Sequence, residues 1–293
     1  PISPFDWTDT KKLNYKNIVM QDSMINCMKY WMTETAIDGF RCDVAGEVPD
    51  EFWVRCIAEL KKSKPDLFML AEGDKPSLHK DGFDASYPWE MFAMMKKIAK
   101  GERFANALDS ISNNIDTTYP ANALKMLFTS NHDENSWNKA DYLTMPGAIH
   151  APFAVFTQTM GRSVPLVYSG QEEPFLDSIS FFYKDTITFS KYKRAPFYKT
   201  LLNLRKNNPA LAANASFKKI SVGDDRALYA YVREAAGKKI FVILNLSSKE
   251  QTVKVTDASL YGEPMNIFMG NKEPLKDAAW KIEPWGFVVY EYT

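Results

Sequence analysis

The chain has 293 residues, enough for one large or two ordinary domains, and its 45% hydrophobic content supplies a real core. Lysine plus arginine equals aspartate plus glutamate, so the formal net charge is zero, which argues against a polyanionic partner such as nucleic acid. No apolar run is long enough to span a bilayer. Cys27, Cys42 and Cys56 are too few and too odd in number for a disulfide framework and read as small buried hydrophobes.

In chain order, Asn17 reads as the cap of a helix running to about residue 34, with Met20, Met24, Cys27, Met28 and Trp31 along one apolar face. A strand over 37–43 follows. Pro49-Asp50 opens a helix whose apolar positions Phe52, Trp53, Cys56, Ile57 and Leu60 recur at helical spacing. Strands at 67–72 and 83–86 precede a helix through Met91, Met94, Met95 and Ile98. A strand over 123–129, a helix from Ala148 to about Met160, a strand over 164–168 and a helix over 196–207 complete this part. Repeated strand–helix units predict a parallel sheet with helices outside it. After Asn207-Asn208-Pro209 the pattern changes to short strands at about 215–221, 226–233, 239–246, 251–255, 264–268 and 286–292, with turns at Gly223-Asp224-Asp225 and Ala236-Gly237. The domain organisation predicted is an α/β domain over 1–209 and an antiparallel β domain over 210–293.

Three strand ends carry carboxylates: Gly39-Phe40-Arg41-Cys42-Asp43, Phe68-Met69-Leu70-Ala71-Glu72 and Phe128-Thr129-Ser130-Asn131-His132-Asp133. Parallel α/β barrels display their catalytic groups at such positions. Arg41 and Asp43 are two apart on a strand and point to one face, and the guanidinium favours the ionised carboxylate that a nucleophile needs. Glu72 follows an apolar run, and an apolar mouth favours the protonated form that a general acid needs. Asp133 is able to accept hydrogen bonds from vicinal sugar hydroxyls while His132 contacts another. Two carboxylates suffice to cleave a glycosidic bond. Each feature alone has a plainer reading: an ion pair for Arg41–Asp43, a helix N-terminal charge for Glu72, a turn for Asn131-His132-Asp133. Tyr87 and Trp137 follow strand ends, where flat rings stack on sugar faces, with core packing as the alternative and the better reading for Trp89. Glu172 and Glu173 read as loop-holding carboxylates, and Phe175 to Tyr183 as a lid over the site.

The run Asp38-Gly39-Phe40-Arg41-Cys42-Asp43-Val44-Ala45 resembles the nucleophile motif of the α-amylase family of retaining glycoside hydrolases. Leu70-Ala71-Glu72 is similar to that family's acid/base strand, Ser130-Asn131-His132-Asp133 to its third-carboxylate motif, and Tyr168-Ser169-Gly170-Gln171-Glu172 to the segment ending its last barrel strand. The resemblance covers essentially the whole chain. It implies a (β/α)8 TIM barrel with a C-terminal antiparallel β domain, acting on α-glucosidic linkages of starch-like glucans or maltooligosaccharides through a covalent glycosyl-enzyme. It also implies roles: Asp43 as nucleophile, Glu72 as acid/base, Asp133 as transition-state stabiliser, Arg41 and His132 as supports of the sugar site. Transglycosidases and glucosidases specific for cyclodextrins or short oligosaccharides fit the same resemblance. A non-catalytic sugar-binding relative is the reading from another class, and the intact trio counts against it.

Two departures stand out. Gly46-Glu47 occupies the place of a Lys-His pair that many members carry on the leaving-group side. Only five barrel strands are countable, matching strands four to eight, and with His79, His132 and His150 the only histidines the family's earlier Asn-His motif has no match. The expectation is therefore an incomplete barrel: a piece of a longer enzyme, weakly active alone, on which a missing N-terminal barrel segment packs. No cofactor or metal site is expected in this chain; calcium would belong to the missing part. A polymeric substrate implies export and short sugars an internal enzyme, so the compartment stays open.

Overall fold

A computed structural model of the chain describes Trp7 and residues 10–139, 145–173 and 177–292. Two compact units form, one up to Tyr87 and the other from Pro88 onward.

In the first unit, α1 (Ile18–Thr35) starts where the sequence places it, with Asn17 Oδ1 accepting from the Met20 N–H at 3.3 Å. Its buried face matches the predicted one only in part, at Met28. Ile25 is buried and Met28 and Met32 pack on the core, whereas Met24, Cys27 and Trp31 are exposed. The helix is apolar nearly all round, so periodicity alone does not choose its inner face. Next come β1 (Gly39–Cys42), α2 (Asp50–Ser63), β2 (Phe68–Ala71), α3 (Pro76–Lys80) and β3 (Ala85–Ser86). β1 pairs in parallel with β2, and β2 with β3. The predicted α2 stripe Phe52, Trp53, Cys56, Ile57 and Leu60 is buried against Cys42, Met69 and Ala71. Gly39 faces Phe68 across the β1–β2 pair, and a Cβ there would collide with the Phe68 carbonyl oxygen. Only glycine lets the two strands approach this closely.

In the second unit, α4 (Trp89–Ala99), α5 (Ala107–Thr118), β4 (Leu124–Lys125), α6 (His132–Asn138), α7 (His150–Thr159) and α8 (Ala195–Asn207) precede the β-rich part. The segment predicted as a strand over 164–168 runs beside β4 in parallel, with Val164 N donating to Lys125 O and Leu166 N to Leu127 O, both at 2.8 Å. The strands β5 (Ser216–Ile220), β6 (Leu228–Ala235), β7 (Lys238–Asn245), β8 (Gln251–Val253), β9 (Met265–Asn266), β10 (Asn271–Lys272), β11 (Trp280–Ile282) and β12 (Phe287–Tyr292) follow. Six of them form an antiparallel sheet in the order β10-β9-β12-β7-β6-β5, and β8 pairs with β11. Alternating residues of this sheet, among them Leu228, Ala230, Phe241 and Ile243, make a core of their own. Arg233, fully buried, donates to the carbonyls of Thr159 (2.7 Å), Ala212 (2.6 Å) and Ser216 (2.9 Å), tying β6 to the last turn of α7. An α/β region followed by antiparallel β sheets is the predicted class, and the described parallel strands do not close a barrel.

Candidate active site

Strand register explains why Asp43 and Glu72 lie together. Cys42 pairs with Ala71 at the ends of β1 and β2, so the next residue of each strand leaves at the same level. The Glu72 N–H donates to the Cys42 carbonyl at 2.9 Å, which locks that level. Arg41 joins the two carboxylates: Nη1 bonds Asp43 Oδ1, and Nη2 lies 3.0 Å from Glu72 Oε1. Its Nε donates to the Tyr87 hydroxyl at 3.2 Å. One planar guanidinium thus fixes three groups, a task that the point charge of lysine does not match. Burial opposes the charge on Arg41, but the Tyr87 hydroxyl, Asp43 and Glu72 together raise its pKa above the ordinary guanidinium value.

The second oxygen of Glu72 accepts from the Val44 N–H at 2.8 Å. Val44 adopts the left-handed conformation (φ 45°, ψ 39°), a costly state for a β-branched residue, and this turn aims its N–H at Glu72. The apolar mouth expected around Glu72 is therefore only part of its setting, because a guanidinium and a backbone N–H both face the carboxylate. Asp43 is open to solvent, with 76% of its side chain exposed, against 15% for Glu72. Tyr87 is buried, with its ring held as a brace for Arg41. Beyond the nucleophile candidate, Lys75 bonds the Gly46 carbonyl and lies 3.6 Å from Glu47. Sequence reasoning did not anticipate Val44 or Lys75.

The third carboxylate belongs to the second unit. Asn131 Oδ1 accepts from the Glu134 N–H at 2.8 Å and so caps α6, placing His132 and Asp133 in its first turn. His132 Nε2 lies 3.3 Å from Asp133 Oδ2. Glu134 pairs with Lys96 at 3.0 Å. Trp137 is exposed, its ring against Phe181 and Phe182. Glu172 and Glu173 hold backbone as expected. Glu172 Oε2 accepts from Gly170 N at 2.9 Å, and Glu173 accepts from the N–H groups of Ser190, Lys191 and Tyr192, which draw its pKa down against the opposing effect of burial. Of the stretch read as a lid, only 177–183 falls within the described residues. Among the described residues no group of three or more His, Cys, Asp or Glu side chains is placed to hold a metal ion, and no helix is long and apolar enough to cross a membrane.

Carboxylates at adjacent parallel strand ends, bridged by an arginine, are an arrangement that α/β barrels use for catalysis. A family model described as the catalytic domain of α-amylase matches residues 5–196, and the chain belongs to the α-amylase family. It is 27% identical over 263 residues to the α-amylase MalA of Haloarcula japonica, covering 86% of this chain and 38% of that protein. A cyclomaltodextrinase of Thermoanaerobacter pseudethanolicus is 26% identical over 257 residues, covering 83% and 43%. The solved structure of a noncanonic maltogenic α-amylase, AmyB from Thermotoga neapolitana, superposes with a TM-score of 0.82 at 23% identity, over 96% of this chain and 67% of that one. The fold is thus that of an α-amylase barrel in part, followed by its antiparallel β domain. The chain spans less than half the length of the curated relatives it matches.

Proposed function

We propose that the chain carries the catalytic trio of a retaining glycoside hydrolase acting on α-glucosidic linkages of starch-like glucans or maltooligosaccharides. The observation that carries this is Arg41, whose single guanidinium holds Asp43 and Glu72 at adjacent strand ends. In the reaction, Glu72 protonates the leaving oxygen while Asp43 attacks the anomeric carbon, giving a glycosyl-enzyme. Glu72, now ionised, removes a proton from water, and the resulting attack frees Asp43. Arg41 and the Val44 N–H hold one oxygen each of the Glu72 carboxyl group. By their motif, Asp133 takes the role of transition-state stabiliser and His132 that of a sugar-binding residue.

The α-amylases and cyclomaltodextrinases among the relatives support an α-glucan as substrate. Gly46-Glu47, with the Lys75 ammonium placed on that turn, gives the leaving-group side a chemistry of its own. A further barrel segment of the native enzyme, packing over the exposed apolar residues of α1 such as Val19 and Trp31, completes the sugar-binding wall in this reading. Product analysis of the native enzyme on starch, maltotriose and a cyclodextrin tests the proposal. Release of sugars in the α-anomeric form is the expected result. Inverted products, or an inert protein, would refute it.

A further inference from the structure

Beside α6 lies a cluster of rings to which the reaction above assigns no role. Trp137 follows Asp133 by four residues, so both stand on one face of that helix, about 6 Å apart along its axis. The Trp137 ring packs on Phe181 (centroids 4.9 Å apart) and Phe182 (5.9 Å), which meet each other at 4.9 Å. Despite these contacts the three side chains stay 59%, 45% and 66% exposed. Large apolar groups left uncovered side by side mark a surface for something else.

The stretch that carries the phenylalanines is tightly held. Fully buried Asn135 donates to the Asp177 carbonyl at 3.1 Å and accepts from the Ile179 N–H at 2.9 Å. Ser178 Oγ donates to the Ser136 carbonyl at 3.1 Å. The Asp185 carboxylate accepts from the Ser180 and Thr186 N–H groups at 2.9 and 2.8 Å. A backbone held in this way loses little freedom when a ligand lands on the rings it carries. The three rings pack on one another and still present open faces. Flat faces of this kind suit the C–H faces of pyranose rings.

We propose that Trp137, Phe181 and Phe182 form a platform on which an α-glucan stacks as it runs outward from Asp133. This rests on the α-glucan reading above and deepens it: the preferred substrate is a chain of several glucose units, not a di- or trisaccharide. The test compares kcat/KM for maltoheptaose and maltotriose in the native enzyme and its Phe182→Ala and Trp137→Ala variants, with thermal melting as the check on folding. The ratio of heptaose to triose is expected to fall roughly five- to tenfold in each alanine variant, the loss of about one stacking contact, and to recover in Phe182→Tyr. An unchanged ratio in both variants, or an equal fall on both substrates, with hydrolysis by the unaltered enzyme intact, overturns the platform and leaves the α-glucan reading standing. Failure of the unaltered enzyme to cleave either sugar overturns both.

Discussion

Arg41 is the residue on which the first two carboxylates depend. Its forked guanidinium reaches Asp43, Glu72 and the Tyr87 hydroxyl at once, and a lysine reaches one of them at a time. Arg41→Lys is therefore expected to keep the fold and lower kcat by about a hundredfold, read from steady-state kinetics of the native enzyme with circular dichroism alongside. Glu72→Gln removes the proton donor and the base together, and should lower turnover of unactivated glucans by a factor of about a thousand or more. Retained turnover would remove Glu72 from that role. At this scale the sequence was partly legible. Spacing alone put Arg41 and Asp43 on one face, because side chains alternate along a strand. The setting of Glu72 was not legible, since it depends on a left-handed turn at Val44, and a β-branched residue gives no sign of that conformation. Lys75 was equally hidden, being brought to Gly46 and Glu47 from the loop that follows β2.

Among elements, β1 and β2 decide whether the carboxylates meet. Gly39 permits their close approach, so Gly39→Ala should push the strands apart and destabilise the chain by about 2 kcal/mol or more, measured by urea unfolding. A second element-scale brace is Arg233. Its replacement by Met would leave the carbonyls of Thr159, Ala212 and Ser216 without their buried donor, and should cost about 3 kcal/mol or more in the same assay. The sequence shows α2 well because its stripe is apolar against a charged opposite face. α5 went unseen, although Leu108 and Ile111 are buried in it, because its Ser, Asn, Asp and Thr residues favour turns and caps. β10 and β11 are two and three residues long, too short for any alternation to register. The inner face of α1 was misread in part for the opposite reason, an excess of apolar residues around the helix.

Over the whole chain, a buried histidine ties stability to pH. His150 is buried, and burial first, with Arg194 second, lowers its pKa to about 3 from 6.5. A group whose folded pKa is depressed contributes stability that is present above its unfolded pKa, so this contribution is lost as pH falls from about 6.5 toward 3. Melting temperatures recorded across that window should fall with acid, and more shallowly in His150→Gln. An unchanged slope would show that His150 does not set it. The broad architecture was legible in the sequence because strand–helix alternation and the later run of short strands differ in period. Of the five parallel strands counted in the sequence, four are strands of the structure, and the fifth, 164–168, runs beside β4 through backbone hydrogen bonds without forming a full strand. The central claim is that Asp43 forms the covalent bond to the sugar. Mass spectrometry of the native enzyme after treatment with a mechanism-based fluorosugar, 5-fluoro-α-glucosyl fluoride, tests it most directly. A glycosyl adduct on the peptide containing Asp43, absent in Asp43→Asn, is the predicted result; an adduct on another residue would contradict it.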